Sequence, residues 1–139
     1  MREILFKAKR KDNDEWVEGY YVPHIVEGKI VHHFILTGEA DLVETEDDEL
    51  ILKFYWEEID PDTLCQYTGL TDKNGQKIWE NDIAHIRSSV LSGYGVIKYQ
   101  NGNLVLVDAK RKRTYSLYGE WKIRKDGNIF DNAELLEVE

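Results

Sequence analysis

The stretch Gly95-Val96-Ile97-Lys98-Tyr99-Gln100-Asn101-Gly102-Asn103-Leu104-Val105-Leu106-Val107-Asp108 decides the fold class. Its centre, Asn101-Gly102, supplies the two positive φ angles of a two-residue hairpin turn, and β-branched and aromatic residues flank it on both sides. A two-residue loop pairs Tyr99 with Leu104 and Ile97 with Leu106 on one face, which is the expected core. Val96, Val105 and Val107 fall on the other face with Lys98. The hairpin is therefore apolar on both sides and is expected to lie centrally in a curled sheet of small-barrel character.

Downstream, strands are expected over Arg113 to Leu117 and Trp121 to Arg124, the latter turning at Asp126-Gly127 into Asn128-Ile129-Phe130. Asp131 followed three residues on by Glu134 predicts a capping box that opens one helical turn through Leu135 and Leu136. Upstream, Asp72-Lys73-Asn74-Gly75 is a tight turn, and Asp82 sits in a second turn between apolar strands, where a carboxylate most often accepts backbone N–H bonds. Earlier still, Arg2 to Lys9 and Glu15 to Val22 make a hairpin over the polar turn Asp12-Asn13-Asp14, closed by Pro23. Ile30 to Thr37 is a further strand, the acidic run from Glu39 to Glu49 a solvated loop, and Leu50 to Ile59, with Phe54, Tyr55 and Trp56, a strand. Asp60-Pro61-Asp62 breaks that element. The expected organisation is thus mainly β with little helix, a β-hairpin and sheet subdomain at 1–62 followed by a β-barrel subdomain at 63–139. No Gly/Ser-rich or Pro-rich linker separates them, so they are expected to pack together.

Composition narrows the function classes. The 139 residues fit one domain's usual size, and a lone cysteine, Cys65, allows no internal disulfide, a pattern that suits a reducing cytoplasm. The longest apolar run near the N-terminus is Ile4-Leu5-Phe6, too short for a signal-peptide core or a membrane span, so neither export nor membrane insertion is expected. The net charge of −9 is uneven: residues 1–69 hold 7 Lys/Arg against 17 Asp/Glu, and residues 70–139 hold 11 against 10. The acidic half repels a phosphate backbone.

Several side chains invite chemistry and meet a plainer alternative. His32 and His33 are adjacent in a strand and point to opposite faces, so they do not ligate one ion together, and neither a metal site nor a cofactor is expected. Cys65 lies in an ordinary strand segment and reads as a buried thiol. Asp82 and His85, three residues apart, are the only carboxylate and base that suggest hydrolysis, and no third group joins them. Lys110-Arg111-Lys112-Arg113 is the one basic cluster. With Tyr115 and Trp121 nearby it forms a candidate surface for single-stranded nucleic acid, the cations on the backbone and the rings as stacking platforms, against the plainer reading of a solvated loop. Phosphate-cradling glycine loops, nucleophile elbows and zinc-ribbon spacings are absent.

Three segments, Arg2 to Tyr20, Gln66 to Ile83 (Gln-Tyr-Thr-Gly-Leu-Thr-Asp-Lys-Asn-Gly-Gln-Lys-Ile-Trp-Glu-Asn-Asp-Ile) and Gly127 to Leu136, together resemble the YopX family of phage and prophage proteins over the whole chain. Where that family often carries glycine, this chain has Asn81 before Asp82 and Ala8 in the first strand. Asparagine is the next most tolerant residue for a left-handed turn. The resemblance implies an SH3-like β-barrel in the C-terminal half and brings no enzymatic activity and no catalytic residues. The expected function is that of a non-enzymatic phage accessory protein acting in the bacterial cytoplasm through contacts with itself, as a homo-oligomer, or with a phage or host protein. The alternative is a nucleic-acid or peptide-binding module on the C-terminal barrel.

Overall fold

A computed structural model describes residues 4–137. The chain divides into two compact units at Gln66/Tyr67, where the sequence placed the border at Asp62. In the first unit, β1 (Phe6–Lys9), β2 (Trp16–Val26), β3 (Lys29–Glu44) and β4 (Leu50–Glu58) form an antiparallel series in chain order, and β1 also pairs with the start of β5 (Cys65–Thr71) at Phe6↔Gln66 and Lys7↔Cys65. A 3-10 turn at Pro61–Thr63 follows the proline break, capped by the Asp60 carboxylate on the N–H of Asp62. The core of this unit is small: Ala8, Ile35 and Ile59, with Phe6, Val17, Tyr21 and Leu64 packed around them.

Gly19 shows why the unit closes so tightly. A Cβ there would run into the backbone carbonyl of Leu36 and the side chain of Ile35, so β2 approaches β3 at a distance only glycine permits.

β3 and β4 differ from expectation in one respect. The acidic residues Glu39, Asp41 and Glu44 belong to β3, and only Thr45 to Glu49 form the turn. That turn is ordered: the Thr45 N–H donates to the Glu49 carbonyl at 2.8 Å, the Asp48 N–H to the Thr45 carbonyl at 3.1 Å, and Asp48 takes a left-handed φ of 60°. Two short apolar runs, Leu42-Val43 and Leu50-Ile51-Leu52, which supply both faces of the ribbon, outweigh charge repulsion and carry the ladder past the acidic positions.

In the second unit, the rest of β5 pairs with β6 (Lys77–Trp79), and β7 (Asp82–Arg87), β8 (Ser92–Gln100), β9 (Asn103–Asp108), β10 (Arg113–Ser116) and β11 (Lys122–Asn128) form a five-stranded antiparallel sheet ordered β10-β9-β8-β7-β11. The Asn101-Gly102 hairpin has the expected register, Tyr99↔Leu104 and Ile97↔Leu106, with φ of 51° and 80° at the turn. Ile97 and Leu106 are fully buried in a core shared with Ile78, Ala84, Ile86 and Ile123. Val96 and Val105 are buried on the other face, as the two-sided apolar pattern requires.

Three expectations are corrected here. The sheet does not close into a barrel: β10 and β11 are its edges, and no ladder joins them among the described residues. β11 does not end at Arg124 but runs through Asp126-Gly127 to Asn128, absorbing the turn residues as a bulge between Lys125 and Gly127. The capping box also fails to form. A single 3-10 turn exists at Ala133–Leu136, with Asn132 at its N-cap making no side-chain cap bond, while Asp131 accepts from the Asn128 amide at 3.2 Å. The Asn128 side-chain oxygen takes the N–H groups of Phe130 and Asp131 at 2.9 Å each, so the corner is built by Asn128 and not by Asp131. Among the described residues no helix is long and apolar enough to cross a membrane.

Replacing Gly19 by alanine forces β2 away from β3. The expected loss, measured by urea unfolding, is at least about 2 kcal/mol, toward the upper end of overpacking costs because backbone rather than a flexible side chain must move.

Candidate functional site

The register of β7 assembles the site. β7 pairs with β8 on one side and β11 on the other, placing His85 opposite both Tyr94 and Arg124, and Arg87 opposite both Ser92 and Lys122. Residues facing each other across a ladder share a face of the sheet, so two rows cross three strands: Tyr94, His85, Arg124 and Ser92, Arg87, Lys122. Ala84 and Ile86, alternating with them along β7, point to the opposite face and are buried in the core.

Two turns border these rows. Lys110 and Arg111 come from the turn between β9 and β10, where the Asp108 carboxylate accepts the Arg111 N–H at 3.1 Å. Lys73 comes from the turn between β5 and β6. Its N–H donates to the Ile123 carbonyl at 3.2 Å, and Asp72 braces the turn by accepting the N–H groups of Asn74 at 2.8 Å and Gln76 at 2.9 Å. Burial alone would raise the Asp72 carboxyl. The amides of Gln76, Asn74 and Lys125 and the charge of Lys125 outweigh it and hold the group below its ordinary value.

The result is a cleft of about 820 Å³ lined by Lys73, Arg87, Lys110, Arg111, Lys122 and Arg124 against a single lining carboxylate, Asp108. Six of the 11 Lys and Arg that follow Tyr67 thus share one concavity in a chain of net charge −9. On its floor the rings of His85 and Tyr94 stack, centroids 4.1 Å apart and planes 27° from parallel. His85 Nε2 lies 3.3 Å from Asp126, which also takes Arg124 Nε at 3.1 Å. Burial, then the Arg124 charge, push the His85 imidazole below its usual range, with Asp126 opposing. Burial and then Asp126 push the Tyr94 phenol up, with Arg124 opposing. Both rings are therefore held neutral near pH 7, a flat uncharged platform inside a ring of cations.

The sequence-predicted residues divide. Lys110 and Arg111 line the cleft; Lys112, with a left-handed φ of 53°, and Arg113, at the start of β10, are exposed and do not line it. Tyr115 is corrected as a stacking platform: its position opposite Leu106 puts it on the core face, where it is buried. Trp121 packs edge-on against Tyr115 at 6.2 Å and donates its indole N–H to the Ser116 carbonyl at 3.1 Å, so both rings serve the fold. Asp82 and His85 are not brought together, since residues three apart on a strand stand on opposite faces. Asp82 is fully buried, accepts the Trp79 N–H at 2.8 Å as a turn carboxylate should, and pairs with Lys125 at 3.2 Å. The cleft residues that sequence reasoning passed over, Arg87, Tyr94, Lys122 and Arg124, come from three different strands and meet only through the β7 register.

Elsewhere, His33 bonds Tyr21 Oη at 2.6 Å and His32 bonds Glu58 at 2.9 Å, from opposite faces of β3. Cys65 is buried with its Sγ on the Thr63 carbonyl at 3.3 Å. Among the described residues no three His, Cys, Asp or Glu side chains converge as metal ligands.

The electrostatics of the platform are open to measurement by NMR titration. His85 is expected to titrate below its reference value of 6.5. Arg124→Gln raises that value, because it removes a repelling charge and frees Asp126, whereas Asp126→Asn lowers it further. Since the folded-state value lies below the unfolded one, protonating His85 costs stability only as pH falls through 6.5 and beneath it, and nothing above. A His85 titration that Arg124→Gln leaves unmoved would refute this arrangement.

Among curated proteins no match is found. Of solved structures, the crystal structure of protein EF1440 from Enterococcus faecalis is similar, with a TM-score of 0.58 at 18% identity, covering 98% of this chain and 99% of that one; at such identity the likeness concerns the fold. The family model described as YopX protein matches residues 5–137, nearly the full length, and the chain belongs to the YopX family.

Proposed function

We propose that this YopX-family protein is a phage-type accessory protein, working in the bacterial cytoplasm by binding rather than catalysis, and that the cleft of its C-terminal unit takes single-stranded nucleic acid. The observation that carries this reading is the coincidence of six cations and a stacked, neutral His85–Tyr94 pair in one concavity. A phosphate backbone needs spaced cations and releases counterions on meeting them. An unpaired base needs a ring face, and stacking on one is tolerant of sequence. The C-terminal unit supplies both from an open, SH3-like sheet. Duplex fits less well, because its bases are already stacked and offer nothing to the floor of the cleft.

His85 paired with Asp126 resembles an acid–base pair in isolation. Its Nε2 is directed at the carboxylate and its ring face at Tyr94, which suits a platform better than a proton shuttle. A second role, in assembly, rests on a different surface, the outer face of β2, β3 and β4.

Fluorescence anisotropy with a labelled single-stranded oligonucleotide tests the proposal. The affinity is expected to fall as salt rises, by about 0.7 in log-log slope for each phosphate contacted. Replacing Arg87 and Lys122 by Gln weakens binding and flattens that slope. Tyr94→Ala weakens binding by about 1–3 kcal/mol at every salt concentration and leaves the slope unchanged, because stacking releases no counterions. Binding that is absent at low salt, or indifferent to all three substitutions, would overturn the proposal.

A further inference from the structure

The first unit has an apolar face that its own core does not use. Ile35 points to the buried side of the sheet, and its neighbours on β3, Phe34 and Leu36, point to the other. The ladders place Tyr20 opposite Leu36, Leu36 opposite Trp56, Ala40 opposite Phe54 and Leu42 opposite Leu52, so one face runs unbroken along β3 into the arm formed with β4. It is solvent-exposed: Leu42 and Leu50 at 65%, Leu52 at 61%, Tyr20 at 55%, Trp56 at 47% and Phe54 at 46%. At its other end lies an apolar groove of about 450 Å³ lined by Val22, Pro23, His24, Ile25, Phe34 and Trp56.

Beyond the β3 bulge between Leu36 and Ala40 the arm is a two-stranded ribbon with both sides exposed. Such a ribbon is marginal alone in water, yet its turn is closed by backbone bonds between Thr45 and Glu49 and between Asp48 and Thr45, and its apolar residues fall on both faces.

We infer that this face is the interface of a symmetric dimer in which the arm of each copy lies against the groove of the other, the two β3 strands running antiparallel. Three features select a second copy of this chain. The first is self-complementarity: one surface presents both the projecting side chains, Leu42, Leu52 and Phe54, and an apolar groove to receive them, which is what an isologous contact requires. The second is area. The six exposed side chains leave about 600 Å² of apolar surface, the upper end for a monomer, and the groove residues Val22, Pro23 and Ile25 extend that patch toward the roughly 800 Å² per partner of a stable interface. The third is charge. Glu44, Glu46, Asp47, Asp48 and Glu49 crowd the arm tip, whereas the β2–β3 end of the sheet carries Lys29 and the stacked rings of His24 and His32 beside two carboxylates, Glu27 and the Glu58 that bonds His32. A parallel arrangement would press the two acidic tips together; the antiparallel one sets each tip beside the partner's Lys29 end.

This surface shares no residue with the nucleic-acid cleft, so the two readings stand or fall separately. Sedimentation velocity on the full chain at micromolar concentration is expected to give twice the chain mass. Leu52→Asp, a change at an exposed position that leaves the core intact, yields a monomer with unchanged circular dichroism and unchanged oligonucleotide binding, while Val90→Asp, on an exposed loop of the second unit, leaves the mass unaltered. The arrangement itself is read by oxidation: Glu46→Cys mixed with Lys29→Cys forms a disulfide-linked heterodimer, and Glu46→Cys alone does not crosslink. A monomeric wild type, a Leu52→Asp variant of wild-type mass, or ready self-crosslinking of Glu46→Cys would each overturn the proposal.

Discussion

The buried carboxylate of Asp82 is the contact on which the second unit depends. It is fully enclosed, and an enclosed charge is tolerated only where partners replace water. Here the partners are the Trp79 N–H, which fixes the corner entering β7, and the Lys125 ammonium, which arrives from β11. Beside it, Asn81 takes a left-handed φ of 72°, donates its N–H to the Ile97 carbonyl of β8 at 2.7 Å and accepts the Ile129 N–H at 3.0 Å. One corner therefore ties β7 to both its neighbours and sets the register. A slip of a single residue would send His85 and Arg87 into the core and Ala84 and Ile86 to the surface, abolishing core and cleft in the same step.

This coupling explains what the sequence disclosed and what it concealed. Asn101-Gly102 specifies its hairpin because turn type and register are both local, so the Tyr99↔Leu104 and Ile97↔Leu106 pairs follow from a dozen residues. Asp82 as a receiver of backbone N–H was equally legible, since turn carboxylates act locally. The cleft was not. Tyr94, His85 and Arg124 adjoin only through two ladders, one of which crosses a long sequence separation, and no local rule fixes both. The cluster at Lys110 to Arg113 drew attention because its members are contiguous, yet contiguity in a strand or turn spreads side chains over opposite faces, and only Lys110 and Arg111 reach the cleft. Tyr115 and Trp121 misled for the same reason: aromatic residues near a basic run look like platforms, but parity with Leu106 assigns Tyr115 to the core.

The acidic segment from Glu39 to Glu49 shows the opposite error, charge taken as a sign of an unstructured loop. Strand formation depends on alternate positions, and Leu42 and Val43 with Leu50, Ile51 and Leu52 supply apolar groups on both faces of a ribbon that carboxylates merely punctuate. Asp41 is engaged across that ribbon, accepting the Tyr55 hydroxyl, and Lys53 stands over the Tyr55 ring at 5.8 Å. The repulsion that remains is concentrated at the tip, where Thr45 and Asp48 close the turn.

A net charge of −9 opposes a polyanion at long range, but net charge is the wrong quantity at short range. At physiological salt the potential of an exposed charge decays over about 8 Å, so a phosphate in the cleft responds to the groups that line it and little to carboxylates elsewhere. The second unit is close to neutral, with 11 basic and 10 acidic residues over positions 70–139, and four of its aspartates are committed: Asp82 to Lys125, Asp72 to its own turn, Asp108 to the Arg111 amide and Asp126 to Arg124 and His85. Those carboxylates are engaged locally, whereas six cations line the cleft against one lining carboxylate, Asp108. The segregation has an energetic cost, because like charges held together oppose folding, and a fold that carries it draws compensation from whatever neutralises the cleft.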